Sequence, residues 1–255
     1  MATRHGSLYL VPNALDFGTT SEASPIDEVL PASVIRTAAR LTHWAAENAK
    51  TTRAFLKRVD AVMPLARPLQ ELAIVELPRA PKGARAAPPA DLGALLTPVL
   101  QGHDLGLISE AGLPAVADPG AALVQTAHAA GVRVIVLPGP SALVLALAAS
   151  GLNGQSFAFV GYLPVDATAR AARIRELEAI SRRQAQTQLM IETPYRNEAL
   201  LGALLAHLQP ATQLSVSCGL TLAAGFTRTD SVQGWRARTT PLPGDVPAVF
   251  SLLSR

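Results

Sequence analysis

Two short, almost unbroken apolar runs, at 105–109 and 132–137, constrain this chain more than any other feature. Runs of that length without polar alternation suit strands covered on both faces, as in a parallel sheet. Parallel neighbours need a long crossover, and the residues between the runs supply one. Asp118 is placed to cap a helix, Pro119 suits its first position, and Gly131 suits its exit. Leu123, Ala127 and Ala130 recur at helical spacing. The stretch therefore predicts one right-handed βαβ unit.

Further apolar runs extend the pattern. Residues 8–11, closed by Pro12, and 72–75, closed by Pro78, predict two more strands of the same sheet. Beyond Pro140, Ser141 is placed to cap a helix whose residues 143–149 are apolar all round, which predicts a buried helix ended by Gly151. The style changes across Gly151-Leu152-Asn153-Gly154-Gln155, so a domain boundary is expected there, giving domains 1–152 and 153–255. The later runs at 157–161, 188–191, 213–217 and 246–253 alternate apolar with polar more clearly, as antiparallel strands do. Between them, 197–208 puts Leu200, Leu201, Leu204, Leu205 and Leu208 on one helical face. Segments 13–25 and 79–89, broken by Gly and Pro, read as loops.

Composition narrows the class. With 49% hydrophobic and only 16% charged residues, 255 residues can bury a sizeable core and do not read as disordered. Cys218 is the single cysteine, so no internal disulfide is available and a reducing, cytoplasmic setting is expected. No segment has the make-up of a signal peptide, and the longest apolar stretch, 142–149, falls far short of a bilayer span, so no membrane is expected. The net charge of +3 is small. The one basic cluster, Arg170, Arg173, Arg175, Arg182 and Arg183, is interrupted by Glu176 and Glu178 and reads as a solvated helix face.

The chemistry is expected where the strands end. Ser109-Glu110-Ala111-Gly112-Leu113-Pro114 and Leu137-Pro138-Gly139-Pro140-Ser141 both follow parallel strands and precede helices. In open α/β sheets that is the ligand edge. Gly and Pro there let main-chain groups approach a ligand in fixed positions. Neither loop has the spacing of a phosphate cradle or a dinucleotide fingerprint. The histidines His5, His43, His103, His128 and His207 are scattered, without metal-ligand spacing, and no G-x-S-x-G elbow is present.

The region 107–152 resembles the central block of the tetrapyrrole methylase superfamily, the class III S-adenosylmethionine-dependent methyltransferases. Its nearest likeness is to the branch that methylates cytidine ribose on small-subunit ribosomal RNA. The motifs are Ser109-Glu110-Ala111-Gly112-Leu113-Pro114, Ala117-Asp118-Pro119-Gly120 and Pro138-Gly139-Pro140. Outside the block, Gly6-Ser7-Leu8-Tyr9-Leu10-Val11-Pro12, the run from Phe157 to Pro164, and Ile191-Glu192-Thr193-Pro194-Tyr195-Arg196 resemble further family segments.

The resemblance implies an α/β fold of two αβα domains, S-adenosylmethionine in the cleft between them, and a homodimer. By position, Leu10, Pro12, Gly112, Leu113, Pro114, Ser141 and Ala142 would touch the cofactor, with Ile191, Gly219, Leu220, Pro247 and Ala248 on its adenosine side. Glu47, Glu110 and Glu192 are the acidic residues of matched motifs, and Glu110, followed by Glu47, is the candidate catalytic carboxylate. Glu192 and Arg196 could instead pair to brace the second domain.

Two places depart from the ribosomal RNA branch. Glu47-Asn48-Ala49-Lys50 stands where that branch has Glu-Asp-Thr-Arg, and Cys218-Gly219-Leu220-Thr221-Leu222 stands where it has Arg-Glu-Leu-Thr-Lys. The chain thus resembles a divergent paralogue with its cofactor motifs kept and its acceptor side altered. RNA or a small heterocycle such as a tetrapyrrole remain the candidate acceptors, and a non-catalytic S-adenosylmethionine-binding module is the alternative.

Overall fold

The computed structural model describes residues 5–16, 24–78, 92–238 and 240–255. They form two compact units, 1–141 and 142–255. The break falls before the expected 152 because the helix following Pro140 packs against the second sheet rather than the first.

In the first unit, β1 (Ser7–Leu10), β2 (His43–Ala46), β3 (Ala73–Glu76), β4 (Leu105–Ile108) and β5 (Arg133–Val136) form one parallel sheet in the order β3-β2-β4-β1-β5. The four apolar runs are strands as expected, whereas β2 has no such run to announce it. It is four residues long, half of them alanine, and its place in the sheet is decided by tertiary burial of Trp44, Ala45 and Ala46. Successive side chains face opposite layers. Trp44 and Ile108 join Val34, Ile35, Phe55 and Leu56 from helices α2 (Ala32–Arg40) and α3 (Ala49–Val62) on one face. Leu8, Ala45, Leu105 and Leu107 meet Leu123 and Ala127 of helix α5 (Ala121–Ala129) on the other. The short helices α1 (Ile26–Val29) and α4 (Thr97–Leu100) complete the chain order.

Helix α5 spans Ala121–Ala129 and starts later than the sequence suggests. Gly120, at φ +131°, is its N-cap, so Asp118 does not cap it and Pro119 is not its first residue. The exit is as expected, with Gly131 at φ +66°. Of the two segments read as loops, 79–89 and the 17–23 part of the other lie outside the described residues.

The second unit opens with helix α6 (Ala142–Ser150). Continuous apolarity predicts full burial, yet Val144 is 57% exposed and Leu145 37%. Only Ala146, Leu147 and Ser150 sink into the core, because the helix lies on one face of a sheet and has a single inner side. That sheet holds β6 (Phe157–Phe159), β7 (Thr187–Glu192), β8 (Gln213–Cys218), β9 (Phe226–Ser231) and β10 (Ala248–Leu253), in the order β6-β7-β10-β8-β9. Its pairs are antiparallel except β6 with β7.

Strand β9 is likewise absent from the sequence pattern. Its Phe-Thr-Arg-Thr-Asp-Ser sequence looks like a loop, and as an edge strand it buries little. Helices α7 (Ala167–Gln184), α8 (Asn197–His207) and α9 (Val232–Ala237) join the opposite layer, where Ile174, Leu177, Leu200, Leu204 and Trp235 pack on Met190, Val216 and Phe250. Each unit is therefore a sheet between helical layers.

Candidate functional site

Because every strand of the first sheet is parallel, all of its strand-to-helix loops leave from one edge. There the loops after β1, β2, β4 and β5 lock together. Asn13 and Gly112 exchange main-chain hydrogen bonds of 2.9 and 3.1 Å. The Asn13 side-chain amide donates to the Glu110 carbonyl at 2.9 Å and reaches that of Ser109, while its own oxygen accepts from the Ala14 N–H. Its side-chain NH2 and its main chain thus hold the loop after β4 in place, while its side-chain oxygen braces its own turn. Asn13 is 6% exposed, so these bonds are shielded from competing water.

The loop after β5 is held by shape. A Cβ on Gly139 would overlap the Cβ and Cγ of Pro12, so only glycine lets these two backbones touch. Loop 109–120 is also backed into an unusual path, with Gly112, Ala115, Ala117 and Gly120 all at positive φ. Alanine in that region is strained, and such strain tends to mark functional loops.

Carboxylates gather on this frame. Glu47 follows β2, and its Oε2 accepts the main-chain N–H of Glu110 at 2.9 Å. Asp118 lies close enough to both to feel their charge. Burial, reinforced by the Glu47 and Glu110 carboxylates, pushes its carboxyl up to about 6, against a lowering hydrogen bond from Ser109. The structure thus brings the two sequence-derived candidates, Glu47 and Glu110, together and adds Asp118. Sequence reasoning misses Asp118 because Asp-Pro-Gly reads as a helix start. The available signal is that a carboxylate in the loop after β4 shares an edge with one after a neighbouring strand.

The other first-unit candidates occupy the same edge. Leu10 ends β1 half-buried, Pro12 and Pro114 are buried, Gly112 is pinned by Asn13, and Leu113 is half-buried. Ser141 closes the first unit, and Ala142 opens α6 in the second. Asn48 keeps the capping role that an aspartate would have there, accepting from the Lys50 and Thr51 N–H groups. That departure leaves the backbone of the site intact.

Within the second unit, the remaining candidates also converge. Ala248 pairs with Glu192 of β7 and Cys218 of β8, and the Gly219 N–H donates to the Pro247 carbonyl at 3.1 Å. Ile191 and Leu220 pack with α6 residues on one face of that sheet. Glu192 and Arg196 form an ion pair at 2.9 Å, with the carboxylate almost fully buried. Gly219 and Thr221 both take positive φ, and turn bonds from Leu222 to Gly219 and from Gly225 to Leu222 close the loop after β8. Burial, then the nearby Asp245, raises the Cys218 thiol and keeps it protonated.

Among the described residues, no group of three or more His, Cys, Asp or Glu side chains could hold a metal ion. No helix there is long and apolar enough to cross a membrane.

The profile of the family described as Tetrapyrrole (Corrin/Porphyrin) Methylases matches residues 32–224. The chain belongs to this family. Curated tetrapyrrole methylase relatives include proteins named ribosomal RNA small subunit methyltransferase I. The one from Halalkalibacterium halodurans is 31% identical over 205 residues, 80% of this chain and 61% of that protein. That from Mesorhizobium japonicum is 38% identical over 144 residues, 56% and 48% of the two chains. That from Xylella fastidiosa is 48% identical over 83 residues, 32% and 30%. The chain thus spans from about a third to three-fifths of these relatives' length.

Two solved structures share the tetrapyrrole methylase fold along nearly the whole chain. Uroporphyrin-III-C-methyltransferase from Thermus thermophilus aligns with a TM-score of 0.53 at 18% identity, covering 98% of this chain and 92% of that one. The methyltransferase CobJ aligns with a TM-score of 0.55 at 16% identity, covering 98% and 94%. At such identities the likeness establishes the fold alone.

Proposed function

We propose that this tetrapyrrole methylase transfers a methyl group from S-adenosylmethionine to a ribose hydroxyl of small-subunit ribosomal RNA. The observation that carries the reading is the clustering of Glu47, Glu110 and Asp118 around a main-chain-lined loop. A sulfonium and an ammonium are both cations, and an edge rich in carboxylates and free of phosphate-binding motifs suits them. The donor set therefore fits the cofactor. In the first unit, Leu10, Pro12, Gly112, Leu113, Pro114 and Ser141 would hold it. In the second, Ala142, Ile191, Gly219, Leu220, Pro247 and Ala248 would do so.

When bound, S-adenosylmethionine supplies a methyl group on an already activated leaving group. The residues of the chain then have two tasks. Loops 11–13 and 109–114 fix the geometry of approach, which is where most of the rate gain in such displacements comes from. A carboxylate takes the proton that the hydroxyl loses as its oxygen bonds to the methyl carbon. Glu110, Glu47 and Asp118 are the candidates. Asp118, held near 6, is ionised at neutral pH and is a stronger base than an ordinary carboxylate.

The RNA acceptor is supported by the names of the curated relatives. One observation favours a second reading, a small heterocycle as acceptor. The loop after β8 is Gly219-Leu220-Thr221-Leu222, without the charged side chains of the ribosomal RNA branch. In either reading the protein works as a homodimer, as the resemblance implies, in the reducing cytoplasm that its single cysteine suits.

Titration calorimetry with S-adenosylmethionine tests the cofactor. Absence of binding at millimolar ligand refutes the reading. Transfer of a tritiated methyl group to small subunits, free ribosomal RNA and tetrapyrroles then separates the acceptors. Label in tetrapyrroles alone favours the heterocycle. Binding without transfer to any substrate favours a non-catalytic module.

A further inference from the structure

We propose that the outer face of helix α7 is an RNA-phosphate docking surface, with Arg175, Arg182 and Arg183 as its contacts. The inference rests on the RNA reading of the acceptor. It starts from how the charges of α7 are spent. The helix carries five arginines and two glutamates in 18 residues, a mixture that looks balanced as sequence. In the fold it is not. Glu178 lies on the buried side with Ala171, Ile174, Leu177 and Ser181, where it accepts from the Gln209 N–H and the Thr212 hydroxyl. Glu176 is taken by Arg173 at 2.7 Å. Arg170 turns back to the Val165 carbonyl, and Arg182 donates to the Ser254 hydroxyl without meeting an acid. Arg175 and Arg183 have no hydrogen-bond or ion-pair partner among the described residues. No carboxylate of the helix is left to offset them.

Spacing turns these charges into a track. Arg175 and Arg182 are one heptad apart, which places them about 20° apart around the axis and about 10.5 Å apart along it. Arg183 stands beside them on the outermost side. All three are exposed.

The wider charge distribution agrees. Residues 142–255 contain ten arginines and no lysine against seven carboxylates, an excess that accounts for the whole net charge of +3. Guanidinium groups grip phosphate through two parallel N–H bonds, which ammonium groups cannot do. An anionic membrane is disfavoured, because membrane-surface helices present large apolar residues beside the basic ones. Of the three large apolar residues of α7, Ile174 and Leu177 point into the core, and only Ile180, half-buried, lies outside it.

The test is nitrocellulose filter binding of the full chain to a small-subunit ribosomal RNA transcript between 50 and 200 mM NaCl. Phosphatidylserine vesicles are assayed in parallel. For R175Q/R182Q/R183Q, affinity should fall at least tenfold, and the slope of log affinity against log salt should shrink by about 2, as expected for two to three lost phosphate contacts. The double variant R175Q/R183Q removes only side chains without internal partners and should lose part of both. The triple lysine variant should keep most of the slope. Affinity and slope unchanged in the triple variant, with S-adenosylmethionine binding intact, overturn the proposal. So does an effect seen only on vesicles. Arginine-dependent RNA binding by a protein that methylates no RNA would uphold this surface and refute the acceptor reading instead.

Discussion

The main-chain N–H of Glu110 donates to the Glu47 carboxylate at 2.9 Å, joining residues 63 apart in sequence across the ends of β2 and β4. A hydrogen bond to a charged acceptor of this kind contributes about 1.5–3 kcal/mol. Glu47→Ala frees the loop after β4 and removes one negative charge from the edge. Affinity for S-adenosylmethionine should fall about ten- to a hundredfold in calorimetry. Glu47→Gln keeps an acceptor oxygen and should lose less. Equal affinity in all three proteins would detach Glu47 from the cofactor site.

Asp118 gives the edge a pH signature. Its carboxyl is raised to about 6 in the fold, above the ordinary value near 3.8. A raised carboxyl favours folding in its protonated form, so its contribution is complete below about 3.8 and is lost as pH climbs through about 6. Asp118→Asn cannot ionise and escapes that loss. The variant should melt about 2–4 °C above the parent at pH 7.5, with the gap narrowing below pH 6 and closing only as pH falls to about 3.8. If Asp118 is the base, the same variant loses methyl transfer at pH 7.5 while keeping cofactor affinity.

Contact between Gly139 and Pro12 leaves no room for a methyl group, since an added Cβ would fall inside the van der Waals envelope of the proline ring. Gly139→Ala must push the loops after β1 and β5 apart. Overpacking of this sort costs about 1–3 kcal/mol. The urea midpoint should drop accordingly, and cofactor affinity should fall with it. Pro12→Gly removes both the Cβ and the Cγ that the new methyl group strikes, so the double variant should recover part of the loss, whereas Pro12→Ala keeps the Cβ and should recover less.

In the second unit, the Glu192 carboxylate is almost fully buried and Arg196 is its ion-pair partner. Arg196→Ala leaves that charge without its guanidinium, a change that costs about 3–5 kcal/mol for buried pairs. Urea denaturation should show it, as should tryptophan fluorescence from Trp235 in the core of that unit. Glu192→Gln with Arg196→Ala should be less damaging than Arg196→Ala alone.

Much of the first unit is legible in the sequence, because β1, β3, β4 and β5 are apolar runs closed by proline or glycine. The strands without such a signal, β2 and β9, have sequences whose strand character comes only from their neighbours. One hides a tryptophan in a short alanine-rich run, and the other pairs a polar edge. At the site, Glu47 and Glu110 are accessible through motif likeness. Asp118 and Asn13 are not, since a carboxylate's neighbours and an amide's long-range clamp exist only once β1, β2 and β4 are side by side. The arginines of α7 show the converse. Their sequence names the charges correctly but cannot say which of them the fold will neutralise.

The position of β4 also sets a timetable for synthesis. It lies between β2 and β1, and among the described residues β1 has no sheet partner except β4 and β5. Leu8 therefore waits for Leu105, 97 residues later, before its strand can pair. A nascent chain halted before β4 emerges from the ribosome has its first strand unpaired and the Asn13 clamp unmade. Such a chain is exposed to aggregation and is a natural client for chaperones, since non-local pairing is slow and leaves apolar edges open.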